Sequence, residues 1–514
     1  MSTPSPSRLR SQLHWRGYLL SALGCLFWGV DAGAQAAGAV APEAATPDAA
    51  PGAATASPPA PVAPSATPGV AAPSTAGSTR GLRLEDVLGQ SGGITAQDAG
   101  RRAAETSVQA ALEREKVLSA KNDRSKVIWD ALPRLSLSGT YTRFSSIPQI
   151  CFPDTMGGQQ CLDPTPVNSY VLSASVNVPF TDYLLRMAHA LRGAGDSEDA
   201  AALTEQATRA AAGAGAKLAY YDWVRARLQR VLAEQALDQA RAQRVRVESL
   251  RSAGRAAEAD LQQALAFQAD AELTVSQADT LQVIAEQRLR TAVHAPPEEQ
   301  LRVGENVLAP FPGADEARSL DELYREAESQ RLELRAFDKG SAALERLQTI
   351  ANTRALPRLE GFGNYSYANP NPRAFPQTNH WDDSWQVGVT LSWSPSDIGT
   401  GLTGAESARS QREQLQHQRT LALEAMRIDI ASAYRALAQA RVNVGTAEQG
   451  ERAAVAALEA RTRLEEQGMG TTLELIQAQT AQVQARLNLI DAHIALRVAR
   501  VQLDHALGRD GAAR

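Results

Sequence analysis

Alternation of apolar and polar residues is sharpest in four short stretches. In "SWQVGVTLSWSP", residues 384–395, Trp385, Val387, Val389, Leu391 and Trp393 share one face, and Gln386, Gly388, Thr390, Ser392 and Ser394 share the other. A period of two predicts a strand, here over 385–393. The same pattern predicts strands at 135–143, 170–178 and 359–367. Leu135, Leu137 and Tyr141 oppose Ser136, Ser138 and Thr140; Tyr170, Leu172, Ala174, Val176 and Val178 oppose Ser173, Ser175 and Asn177. In the third strand Phe362 falls out of pattern, and two glycines thin its apolar face. A half-buried soluble sheet would alternate in the same way. The polar face, however, is uniformly Ser, Thr, Asn, Gln and Gly, and Tyr and Trp stand near the strand ends, which suits a barrel with lipid outside and water inside. Four strands cannot close such a barrel, so the chain is expected to share one with other copies: two copies would give about eight strands, three about twelve, and only the larger leaves an open pore.

Elsewhere the period changes to that of a helix. Leu475, Ala478, Gln482, Ala485, Leu489, Ala492, Leu496, Ala499, Leu503 and Ala506 form a seam with spacings of three and four, and a second row runs through Val483, Leu487, Ile490, Ile494, Val498 and Val501. Alternating large residues with alanine lets helices approach closely, and two seams predict two neighbours. Two longer helices are predicted over about 186–252, with weak spots near Gly193 and Gly213, and over about 405–467. At roughly 1.5 Å per residue each would reach about 90–100 Å, too long for a compact bundle. Glycines mark the hairpin turns, Gly254 in one and Gly468 and Gly470 in the other.

These elements occur twice. "LPRL" stands at 132–135 and at 356–359, and residues 219–293 align without a gap on 433–507, an offset of 214. The chain therefore reads as a duplicated half-protein, 81–294 and 295–514, each half a helix, two strands and a helical hairpin, mostly α with a β-barrel part.

Composition narrows the function. Only 5% of the 514 residues are aromatic, and the 52 basic and 57 acidic residues are spread along the chain, so no basic tract points to nucleic acid. Arg8, Arg10 and Arg16 precede the apolar run "GYLLSALGCLFWGV" and the small-residue stretch "AGAQA", the layout of an export signal. Cleavage after Ala36 is one reading and lipidation of Cys25 the other. Residues 37–80, almost wholly Ala, Pro, Ser, Thr and Gly, read as a disordered spacer. The two remaining cysteines, Cys151 and Cys161 in "CFPDTMGGQQC", predict a disulfide closing a small loop. No run of about 18 apolar residues follows the signal, so membrane contact is expected through strands. There is no GxSxG, HExxH or P-loop, and the seven histidines are scattered; no catalysis, metal or cofactor is expected.

The doubled order of helix, strand, strand and helical hairpin, with "LPRL" before each strand pair, "VPFTD" and "SPSDIG" after them, and glycine-containing tips leading into Leu/Ala helices, resembles the TolC-like outer-membrane efflux proteins. The resemblance covers nearly all of residues 81–510. It implies a homotrimer sharing a 12-stranded barrel in outer-membrane lipid and a periplasmic helical tunnel, serving tripartite efflux or type I secretion with an adaptor and an inner-membrane pump. It further implies adaptor contact at Gly254, Arg255 and Ala256 and at Gly468, Met469, Gly470 and Thr471. A narrow entrance would be lined by Glu474 and Gln477, with Asp260 able to take part in a latch. Gln477 lacks the acidic charge of the family pattern, and Gly470 stands where some relatives have an arginine. A periplasmic coiled-coil scaffold would account for the helices but not for the four strands.

Overall fold

The computed structural model describes residues 88–148, 151–153, 157–161, 166–310, 318–375, 377–467 and 469–511. The expected export signal and spacer, residues 1–80, and the tip glycine Gly468 lie outside these residues. Helices α1 (Ala96–Thr106) and α2 (Val108–Asp130) lead into strand β1 (Arg134–Arg143). A short hairpin, β2 (Cys151–Pro153) and β3 (Gln159–Cys161), precedes β4 (Asn168–Pro179), short helix α3 (Phe180–Leu185), long helix α4 (Met187–Ser252) and its return, α5 (Glu258–Val293). The second half repeats the order: α6 (Leu320–Gln330), α7 (Leu332–Asn352), β5 (Arg358–Asn369), β6 (Asp382–Ser392), α8 (Pro395–Glu466) and α9 (Thr472–Ala506). The correspondence extends to the caps. Thr95 with Asp98 at α1, and Ser319 with Glu322 at α6, form matching capping boxes that satisfy the first free amides of each helix.

The four long strands form one antiparallel sheet in the order β1-β4-β5-β6. Its register puts every expected apolar residue on one face: Leu135 opposite Val176, Leu137 opposite Ala174, Tyr365 opposite Trp385, Leu359 opposite Leu391. Little of the chain covers that face; Leu137 is 78% exposed, Val387 75% and Trp385 68%. On the other face Ser136 pairs with Ser175 at 2.6 Å, Ser138 with Ser173 at 2.7 Å, and the Asn177 amide donates to Glu360 at 3.3 Å. The strands run one to three residues beyond most of the expected limits, while Trp393 falls just past the end of β6. Phe362 breaks the pattern because it lies on the polar face directly opposite Gly388, where a Cβ would stand 2.7 Å from its ring. On the apolar face Phe180 covers Gly361 in the same manner, 2.6 Å from where a Cβ would be. Glycines that weaken the strand locally thus seat aromatic rings.

Each strand continues into a helix, and the helices keep the strand order. Beside the sheet, α2, α4, α7 and α8 lie side by side in that sequence; further along, the order is α5, α4, α9, α8. Helix α4 runs unbroken through Gly193 and Gly213. Gly213 is a contact point, since a Cβ there would sit 3.1 Å from the Gly100 carbonyl of α1. Helix α8 starts at Pro395, well before the expected 405, because proline at the first helical position has no amide to lose. Among the described residues no helix is long and apolar enough to cross a membrane.

Both seams of α9 are occupied. Ile490 and Ile494 join Tyr220, Trp223 and Leu228 of α4, whereas Leu496, Ala499 and Leu503 join Met426, Ile430 and Leu437 of α8. The segment between the halves, 294–310, closes the first of these clusters with Leu301, Val303 and Val307. Arg497 clasps it: the buried guanidinium pairs with Glu305 and donates to the carbonyls of Val307 and Asn306, both at 3.0 Å, and of Ala309 at 3.2 Å. Arg497→Ala leaves these acceptors without their donor in a mostly buried site, so we expect a loss of about 3 kcal/mol. The check is the midpoint of helical circular dichroism under guanidinium; an unchanged midpoint counts against the clasp.

Candidate channel entrance and membrane surface

The two helical hairpins end in tips of the same construction. In the first, Gly254 adopts φ +71°, the left-handed conformation that ends a helix at least cost with glycine, and the Arg255 amide donates to the Leu250 carbonyl at 2.8 Å. In the second, the Met469 amide donates to the Leu464 carbonyl at 2.9 Å, the same bond 214 residues on. Gly254, Arg255 and Met469 are exposed, Ala256 is half-buried against Val247 and Leu261, and Gly470 lies against the helix end. A Cβ at Gly470 would be 3.0 Å from the Glu465 backbone nitrogen, so a larger residue there requires the helix end to give by a few tenths of an ångström.

The residues expected at the entrance sit at the start of the returning helices. Thr471 caps α9, its hydroxyl accepting from the Glu474 amide at 3.3 Å while the Glu474 carboxylate accepts from the Thr471 amide at 3.4 Å. Asp260 occupies the equivalent place in α5 and accepts from the Ala257 amide at 2.9 Å. Both acids therefore cap helices, where the helix dipole also favours them. Glu474 is not a bare charge, since Arg461 stands 3.1 Å away across the hairpin. Gln477 is exposed one turn further on. Arg251 pairs with Glu258 at 2.8 Å within the first tip, and Arg246 of α4 pairs with the largely buried Glu465 of α8, tying the two hairpins together near their ends. Sequence reasoning missed these arginines because pairs made across a turn, or between hairpins as with Arg246 and Glu465, leave no periodic trace.

At the opposite end the apolar face finishes in a group of aromatic rings. Tyr141 and Tyr170 lie 5.0 Å apart between centroids, Tyr170 and Trp381 6.1 Å, and Tyr367 stacks on Trp381 at 5.0 Å. At the helical end of the sheet the Trp393 indole donates to the Ala355 carbonyl at 3.2 Å. Rings with one polar edge at both ends of an exposed apolar band fit the two interfaces of a bilayer. In the connection between β1 and β4, Cys151 is disulfide-bonded and stands opposite Cys161 in the β2–β3 register.

An exposed apolar band continued by long helical hairpins fits an outer-membrane channel. Residues 323–509 match the family model of the outer membrane efflux proteins. Solved outer-membrane channels share the fold. OprN superposes with a TM-score of 0.66 at 19% identity over 80% of this chain and 89% of its own. CmeC of Campylobacter jejuni gives 0.67 at 14% over 86% and 94%, and VceC of Vibrio cholerae 0.66 at 16% over 80% and 96%. No curated protein sequence matches the chain. The tip geometry yields a test: Thr471→Ala removes one cap and is expected to cost about 1 kcal/mol locally. Amide exchange should quicken in the first turns of α9 and stay unchanged in α5; equal exchange in both would contradict the capping role.

Proposed function

We propose that three copies of this chain close into one channel, which takes substrates from a periplasmic adaptor and an inner-membrane pump and releases them outside the cell in tripartite efflux or type I secretion. The observation that carries this reading is the open edge. At every level the protomer is an arc of four elements, bounded on one side by β1, α2 and α5 and on the other by β6 and α8. With four strands of alternating direction, β6 of one copy meets β1 of the next antiparallel, so copies add without changing the ladder. Closure is required because unpaired strand edges in lipid leave backbone groups unsatisfied.

The helices support the same closure. Exposed apolar residues gather on the edge helices: Val108, Leu112 and Trp129 on α2, Leu273, Leu281 and Ile284 on α5, and Leu421, Ile428 and Val442 on α8. Ile428 and Val442 correspond to Ala214 and Leu228 in the first half, and both of those are buried. A neighbouring copy supplies the partner that the second half lacks. Twelve strands rather than eight leave a pore wide enough for cargo. The tips, Gly254 to Ala256 and Gly468 to Thr471, meet the adaptor; Glu474 and Gln477 line the entrance beside Asp260; and Cys151 bonds to Cys161.

Outer-membrane fractions should contain a heat-modifiable trimer, and a soluble periplasmic monomer would overturn the reading. Met469→Glu places charge on an exposed side chain that holds nothing together. It should reduce export at least about tenfold while leaving trimer bands intact, and normal export would remove the tip from the adaptor interface. In planar bilayers Glu474→Ala should lower cation preference, whereas Thr471→Ala, which loses the cap but keeps the charge, should not. Unchanged selectivity in Glu474→Ala removes the entrance role.

A further inference from the structure

A crevice of about 590 Å³ opens on the flank of the first half, where α4 and α5 meet the segment joining the halves. Its charged lining is three arginines, Arg227, Arg290 and Arg302, against one carboxylate, Glu286; Gln90, Ser91 and Gln300 complete the polar rim. That carboxylate is already taken, for Arg290 grips it at 2.8 and 3.0 Å and also donates to the Pro296 and Glu299 carbonyls. Arg302 is exposed and, among the described residues, reaches the Gln300 amide oxygen at 3.4 Å. Arg227 is half-buried. It lies over the Trp223 ring at 5.5 Å and donates to the Leu301 carbonyl at 3.2 Å, with no carboxylate in ion-pair range among the described residues. Burial, and then the neighbouring Arg230 and Arg302, pulls its pKa down against the attraction of Glu286.

The second half carries two arginines and one acid at the equivalent positions, in a different order. The counterparts of Arg227, Glu286 and Arg290, each 214 residues on, are Arg441, Arg500 and Asp504. There an acid replaces Arg290: Asp504 accepts from Arg500 at 2.9 Å and from Arg509 at 3.2 Å, and Arg509 also grips Glu326 at 2.7 Å. Each half thus has two arginines and one acid at these positions, with the signs at 286 and 290 exchanged, and in the first half Arg227 and Arg302 are left facing a cavity.

We infer that this crevice binds a multivalent oxyanion, a ligand carrying carboxylate or phosphate groups that accepts from Arg227 and Arg302. Planar guanidinium groups are suited to such oxygens because they donate in pairs, and partial burial of Arg227 strengthens the interaction. Two sources present this chemistry: small free anions, and the carboxylates of the cell-wall polymer that a long periplasmic tube passes. The test uses the full chain in detergent, titrated calorimetrically with citrate and with inorganic phosphate against sodium chloride of equal ionic strength, and in parallel sedimented with purified peptidoglycan. Saturable binding of either anion, weakened about tenfold by Arg302→Gln, is expected. Arg302 supports no packing, so this variant remains informative should Arg227→Gln fail to fold. Arg409→Gln, an exposed arginine on α8, should change nothing. Co-sedimentation lost in Arg302→Gln supports wall-borne carboxylates, and binding of citrate or phosphate alone supports a free anion. No saturable binding in any arm, or binding indifferent to Arg302→Gln, overturns the inference.

Discussion

A strand edge cannot be left open in hydrocarbon, where no water is available for the amide and carbonyl groups it presents. Everything distinctive about this protein follows from having four strands and therefore two such edges. The sheet is too narrow to close on itself, and its apolar face is covered by almost nothing in the chain. The helices inherit the arrangement. Because each strand runs into a helix and the order of columns is kept, the edge of the sheet becomes an edge of the helical layer, and apolar side chains accumulate along it. In the proposed channel, a single unmet requirement in the membrane thus decides along which edges copies of the chain would meet.

Much of this architecture was legible in the sequence because it is periodic. Alternation located the four strands to within a few residues, and seams of leucine and alanine on α9 identified two neighbours, α8 and α4, that the structure supplies. Features set by contact rather than period were not. Phe362 looked like an error in a strand until Gly388 appeared across from it. The helix was expected from about 405, whereas it begins at Pro395. The clasp of Arg497 on residues 305–309 joins groups about 190 positions apart, and a lone arginine on a charged helix carries no sign of such a role. Of the entrance residues, Glu474 and Asp260 were found through resemblance. Their work as helix caps could have been read from Thr471 standing three residues before an acid.

The two halves are alike in backbone and unlike in charge. Equivalent tips share the same closing hydrogen bond, and equivalent first helices share the same capping box. The joining segment is held by both halves, through Arg227 of α4 and Arg497 of α9. Asp504 takes Arg500 and Arg509, whereas Glu286 takes Arg290 and leaves Arg227 and Arg302 on the crevice. In the proposed assembly of three, sixfold likeness would thereby be reduced to threefold.

Helix α8 deserves a mechanical reading. Its 72 residues pass from the last strand to the second tip without a break, at about 1.5 Å per residue a rod of roughly 108 Å. Midway it is held by Met426, Ile430 and Leu437. A load applied at the far end of such a rod is resisted first at that grip, well short of the strand end.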